Sequence, residues 1–187
     1  MIGRIFTADH HVYDLPPLLS WNVRHTGTVP CDSWSVTAVY RPEMLPVLRM
    51  AAGFAAIENG TTQLRGIVDE YTVELGGGGM TVTLYGRGYA ARLLDNESRP
   101  VTYEQVTLRE LIRCHAEPYG ISCGAVADLK STVPYTAGAG ISQWKVISEF
   151  CRTYGGFQPR FAKTGELLAT PEQDGGKRII LDSGSPV

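Results

Sequence analysis

No run of this 187-residue chain is apolar for long enough to cross a bilayer: the longest, 50–57, falls far short of the roughly 20 residues a spanning helix needs. The N-terminus has no basic leader followed by an apolar stretch, so neither a cleaved secretion signal nor a membrane anchor is expected. Charge of one sign is lacking too. Seventeen Lys and Arg against 19 Asp and Glu leave a formal charge of -2, which gives no general attraction to nucleic acid or to an anionic membrane. Cysteine is sparse: Cys31, Cys114, Cys123 and Cys151 are widely spaced with no CxxC pair. With no such pair, the four are expected to be buried free thiols in a reducing cytoplasm.

Catalytic signatures are also missing. His10, His11 and Asp14 resemble a metal or acid/base cluster, but adjacent histidines on a strand point to opposite faces, and no third ligand has a supporting position. Cys114 and His115 adjoin, yet helical neighbours diverge by about 100° and cannot form an activated thiolate pair. The glycines 76–79 lie between two strands, and Gly86-Arg87-Gly88 follows a strand. Neither run fits a phosphate loop, which needs GK[ST] or GxGxxG opening a helix, so both are expected to be flexible turns. Among Asp69, Glu70 and Glu74, the first two face opposite sides of a strand. Glu70 and Glu74 lie about 14 Å apart by strand rise, too far for a glycosidase pair. Trp21, Trp34 and Trp144 are scattered, and cores or interfaces account for them without a sugar-stacking platform. No catalytic, cofactor-binding or metal-binding residue is expected, and the chain is not expected to be an enzyme.

What is present is a soluble, turn-rich composition: 43% hydrophobic and 19% charged residues, with 21 glycines and 11 prolines. The first part, residues 1–97, reads as a β domain. Segments 2–8, 18–25 and 33–40 carry aromatic and β-branched residues and are separated by prolines and Gly27. Trp34, Val36 and Ala38 alternate with Ser35, Thr37 and Val39, as a half-buried strand requires. Residues 44–56 fit a helix or a strand from Phe54, with Gly53 as an interruption. Asn59-Gly60 is a strong hairpin signal because both residue types tolerate positive φ. In the strand that follows, Ile67, Tyr71, Val73 and Leu75 share one face with Asp69, and Val68, Glu70, Thr72 and Glu74 share the other. The expected product is a twisted antiparallel sheet or small barrel.

Ser98-Arg99-Pro100 marks the start of a smaller mixed α/β domain, 98–187, with two helices. Thr107 and Glu110 form a capping box, and Val106 and Leu111 hold the positions of a hydrophobic staple. Leu108, Leu111, Ile112 and His115 line one helical face, which Pro118 and Gly120 end. A second helix starts at Ser142, buries Trp144, Ile147, Phe150, Cys151 and Tyr154, and ends at Gly155-Gly156. After it, 157–161, a Lys163-Thr164-Gly165 turn, 166–170 and 178–181 read as a terminal hairpin or three-stranded piece.

The order of these pieces is more specific than any one of them. LRGIVDEYTVEL at 64–75, MTVTLYG at 80–86, YAARLLDN at 89–96, EQVTLRELIRCHAEPYGI at 104–121 and ISQWKVISEFCRTYGGFQPRF at 141–161 together resemble the hub proteins of phage tails and contractile injection particles. That is the late-control-D and Mu-type baseplate hub family. The resemblance implies a β domain similar to the tail-tube fold, with three copies forming a ring that adapts the sixfold tube to the threefold spike. Expected partners are therefore further copies of the chain, most simply a homotrimer in the full-length protein, together with tail tube and spike proteins. No membrane, specific nucleic acid or cofactor is implied. The implied location is the virion tail or a phage-like particle made in the bacterial host cytoplasm. Members of that family continue well beyond the point matched by this chain, which covers about their first half. The alternatives are a cell-wall glycan-binding module or peptidoglycan-active enzyme of a tail or lysis system, and an adhesin-like binding domain.

Overall fold

The computed structural model describes residues 1–26, 30 and 32–172. The expected strand at 178–181, Cys31 and Gly27 lie outside the described residues. Seven strands form one antiparallel sheet: β1 (Ile2–Thr7), β2 (Val12–Asp14), β3 (Leu18–Arg24), β4 (Ser33–Val39), β5 (Ala51–Glu58), β6 (Thr61–Gly76) and β7 (Gly79–Gly88), in the order β2-β1-β5-β6-β7-β4-β3. The two edge strands, β2 and β3, are consecutive in sequence. A flat sheet of this order would hold them about 29 Å apart at about 4.8 Å per strand, whereas the four Cα steps from Asp14 to Leu18 span at most about 15 Å. The sheet must therefore curl until its edges meet. At the meeting point Leu15 and Leu18 close on Gly3, where a Cβ would lie 3.0 Å and 3.3 Å from their methyl groups. No hydrogen-bonded ladder joins β2 to β3, so the result is a curled sheet and not a closed barrel.

The concave face holds a core of Ile5, Trp34, Val36, Phe54, Leu64 and Leu84, with Leu15, Leu48 and smaller neighbours. Trp34 and Phe54 stack with ring centroids 3.8 Å apart, although two strands separate β4 from β5 within the sheet. Only a tightly curled sheet brings those rings together. The segment 44–56 resolves into a short α1 (Leu45–Arg49) followed by β5, and Gly53 lies inside the strand. Gly86-Arg87-Gly88 is likewise not a turn but the end of β7.

The facing of β6 differs from simple alternation. Val68 pairs with Gly86 and Glu70 with Tyr85, so Asp69 is the extra residue of a β-bulge. The bulge shifts the side-chain phase by one. Leu64 and Val68 before it and Tyr71 and Val73 after it all belong to the concave core. Ile67 faces the other way. Its carbonyl, not its side chain, serves the core, accepting the Trp34 indole N–H at 3.2 Å.

The Asn59-Gly60 turn forms as its residues dictate: Glu58 pairs with Thr61, and Asn59 and Gly60 take φ of 50° and 75°. A Cβ at Gly60 would meet no atom within 4 Å, so any cost of substitution there is backbone strain alone. Gly60→Val should lower stability by about 1–2 kcal/mol, read as a fall in the thermal midpoint. An unchanged midpoint would show that the turn tolerates a β-branched residue.

The rest of the described chain builds a second core from Leu93, Leu108, Leu111, Ile147, Phe150 and Leu167, with Trp144, Ile112, Ile121 and smaller neighbours. The helices α2 (Ala91–Leu94), α3 (Leu108–His115) and α4 (Gln143–Phe150) contribute to it. The capping box at Thr107 and Glu110 is complete, and Ser142 accepts the Lys145 backbone N–H. A π-helical turn, Cys151–Gly155, prolongs α4. Five short strands complete the unit. β8 (Val101–Tyr103) pairs with β10 (Tyr135–Ala137), while β12 (Leu167–Ala169) lies between β11 (Arg160–Phe161) and the parallel β9 (Cys123–Val126).

Candidate interaction surface

The residues that could have carried chemistry do not converge. Asp14 is held by Arg4, with Nε and Nη2 donating at 2.6 Å and 3.0 Å. That pair pulls the carboxyl below its usual range. His11 pairs instead with Asp9 at 3.1 Å, and His10 takes φ of 68° in the turn beyond β1. Cys114 is exposed whereas His115 is buried. Both ring nitrogens of His115 are occupied, Nδ1 by Gln143 Oε1 at 2.6 Å and Nε2 by the Tyr103 hydroxyl at 3.0 Å. No group of three metal-ligating side chains occurs among the described residues. No helix among them is long and apolar enough to cross a membrane.

The bulge at Asp69 has an electrostatic consequence that strand alternation alone conceals. Arg87 donates to both Asp69 oxygens at 2.8 Å and 2.9 Å, and to both Asp95 oxygens at 3.0 Å and 2.8 Å. Asp69 raises the arginine pKa most, with Asp95 second. The cluster ties β6 and β7 to the end of α2. It also occupies Asp69 fully, removing it from any acid/base pair with Glu70. Arg87 adjoins an outer-face groove of about 400 Å³ that includes Asn22, Arg24, Ser35, Glu70 and Tyr85. Tyr85 is its one exposed aromatic ring, too few for a stacking row along a glycan.

The edges carry a different signal. Trp21 on β3 pairs with buried Val36, and Tyr13 on β2 pairs with buried Ile5. Cross-strand partners share a face, so both rings occupy core-facing positions. Even so, Trp21 is 50% and Tyr13 46% exposed. The β6–β7 hairpin carries a second apolar element: Leu75 and Met80 pair next to the glycine turn, with Leu75 81% exposed. Apolar side chains beside unpaired strand edges mark surfaces that another chain can cover.

The expected burial of the thiols holds for Cys151 but not for Cys114, which stands exposed on α3, with Cys123 half-buried. Burial pushes the Cys151 thiol up to about 12, and burial of Tyr135 takes its hydroxyl to about 12 as well. Both groups stay neutral in the fold and ionise more easily when it opens. Their contribution is complete below their ordinary values of 9.0 and 10.0 and is lost as pH rises towards about 12. Iodoacetamide at pH 8 should alkylate Cys114 in the native protein and Cys151 only after denaturation. Mass spectrometry showing equal labelling would contradict this burial.

No protein-family model matches the chain, and no curated protein matches it. Solved structures do resemble it in fold, two tail proteins among them. One is the tail protein from Neisseria meningitidis MC58, with a TM-score of 0.63, 15% identity, and 89% of this chain and 49% of that one covered. The other is the 43 kDa tail protein of prophage MuSo2 from Shewanella oneidensis, with a TM-score of 0.66, 14% identity, and 91% and 55% covered. At such identities the likeness shows the fold alone. This chain spans about half the length of each.

Proposed function

We propose that this chain is a structural component of a phage or phage-like tail, a baseplate or tail-tip hub that adapts the tail tube to the spike through ring-forming self-association. One observation carries the reading. Core-facing aromatics stand uncovered along the edges of a curled sheet whose fold, over about nine-tenths of the chain, is that of two tail proteins, one of them from a prophage. A closed ring of identical subunits covers such edges without open-ended growth. The role is non-catalytic and needs no cofactor. The partners are further copies of the chain, as a homotrimer in the full-length protein, with tube and spike proteins above and below. The location is the tail of a particle assembled in a bacterial cytoplasm. The division near residue 97 belongs to the same reading, the sheet serving the ring and the mixed unit flanking it.

The test is light scattering of the chain at high concentration, alone and with its tube and spike partners. Trimers or a partner complex are expected, and Trp21→Glu should abolish them while leaving the circular dichroism spectrum unchanged. A strict monomer in every condition, with no partner bound, would remove the hub reading and place glycan binding first.

A further inference from the structure

A groove of about 360 Å³ lies where α2 meets the convex face of β1, β5 and β6. The rows of the sheet set its floor. Ile5, Phe54 and Gly66 pair across those strands on the concave side, so Phe6, Gly53 and Arg65 face outward. Past β7 the chain brings Tyr89 and Arg92 against that face. The Arg65 guanidinium carbon lies 4.9 Å from the Phe6 ring centre and 5.9 Å from that of Tyr89. That of Arg92 lies 4.7 Å from Tyr89.

These arginines differ from the paired ones elsewhere. Arg4 is matched by Asp14, and Arg87 by Asp69 and Asp95. Among the described residues Arg92 donates only to the Tyr119 carbonyl, at 3.1 Å, and neither it nor Arg65 has an ion pair. Asp9, which follows the groove residue Ala8, is taken up by Thr7 and His11. Contacts with aromatic rings use the flat faces of a guanidinium and leave its N–H edge free. That edge matches the two coplanar oxygens of a carboxylate.

We propose that this groove is a receptor for a carboxylate, supplied by an acidic side chain of a protein packed on this face. A protein-borne carboxylate fits better than a free one for a physical reason. An exposed guanidinium in water binds a small carboxylate weakly, at a level that excess peptide at low salt still registers, whereas a partner that covers the groove excludes water and strengthens the attraction. The source of the carboxylate rests on the proposed packing against neighbouring tail proteins; the chemistry of the groove does not.

The experiment follows the arginine Nε–Hε signals of the isolated chain by NMR at low salt. The probes are the peptide acetyl-Ala-Glu-Glu-Ala-amide, its glutamine counterpart and inorganic phosphate. The glutamate peptide should shift Arg65 and Arg92 saturably and leave Arg4 and Arg87 unmoved, and the glutamine peptide should do nothing. Arg65→Gln should weaken the response at Arg92 by about threefold. No saturable shift, equal shifts at all four arginines, or a response to phosphate alone would overturn the proposal. If the shifts occur but the chain never joins a tail assembly, the groove stands and only the tail reading fails.

Discussion

Replacing Gly86 by alanine is expected to lower the unfolding free energy by about 3 kcal/mol or more, the largest effect of any single methyl group added to this sheet. A Cβ at Gly86 would lie 2.0 Å from the Ile67 carbonyl oxygen and 2.5 Å from the Trp34 ring. Neither neighbour can yield cheaply. The carbonyl is backbone and already accepts the indole N–H, and the indole is itself stacked on Phe54. Relief requires opening the β6–β7 ladder or expelling Trp34 from the core. Gly66→Ala should behave similarly, since its Cβ would sit 2.1 Å from the Arg87 carbonyl oxygen. Gly77 and Gly78 are the control, because a Cβ there meets nothing within 4 Å and alanine should change stability by no more than about 0.5 kcal/mol. Urea unfolding of the four variants checks the contrast. If Gly86→Ala unfolds at the same midpoint as Gly78→Ala, the close approach of β6 and β7 is not a feature of the folded protein.

That pair of strands also marks where sequence reasoning stopped. The β6–β7 hairpin is readable because Val82 and Leu84 alternate with polar residues beyond the glycine break, and the β5–β6 hairpin because Asn59-Gly60 favours the turn that the chain makes. The bulge is not readable: one extra residue leaves composition and alternation on either side intact, and only pairing with β7 reveals the change of phase at Asp69. The Asp69–Arg87–Asp95 cluster was hidden for the same reason, since its members meet through that bulge and the end of α2. The two helix starts were legible in detail, each specified by a local cap. The three-residue strands β2, β8 and β10 are too short to show alternation. The parallel pairing of β12 with β9 joins segments 44 residues apart at Cys123 and Leu167, so nothing local records it. The edge aromatics Tyr13 and Trp21 were visible as residues, but their core-facing placement depends on register and their exposure on the curl of the sheet. The groove arginines leave no signal in the sequence, because Arg65 and Arg92 come together only when α2 packs on the convex face.

Gln143→Leu should destabilise the protein by about 2–4 kcal/mol although leucine is similar in size. Gln143 is the first residue of α4 and is 5% exposed. Its amide nitrogen donates to the Glu97 carbonyl and to the Tyr119 hydroxyl, both at 2.8 Å. With both amide protons committed, the side-chain oxygen can only accept, so His115 must carry its proton on Nδ1. The other ring nitrogen then accepts from Tyr103. One amide thus fixes the tautomer of a buried imidazole and joins α3, α4, β8 and the segment leading into β8. Leucine keeps the volume but leaves the His115 N–H and the Glu97 carbonyl without their partners, and unmet groups away from water cost more than the bonds gain when made. Combining Gln143→Leu with His115→Phe should cost less than the sum of the two changes by about 1 kcal/mol or more, because either substitution alone already breaks the bond they share. Denaturant unfolding of the single and double variants measures that coupling. Strict additivity, or a Gln143→Leu variant within about 0.5 kcal/mol of the parent, would mean that packing alone holds α3 against α4.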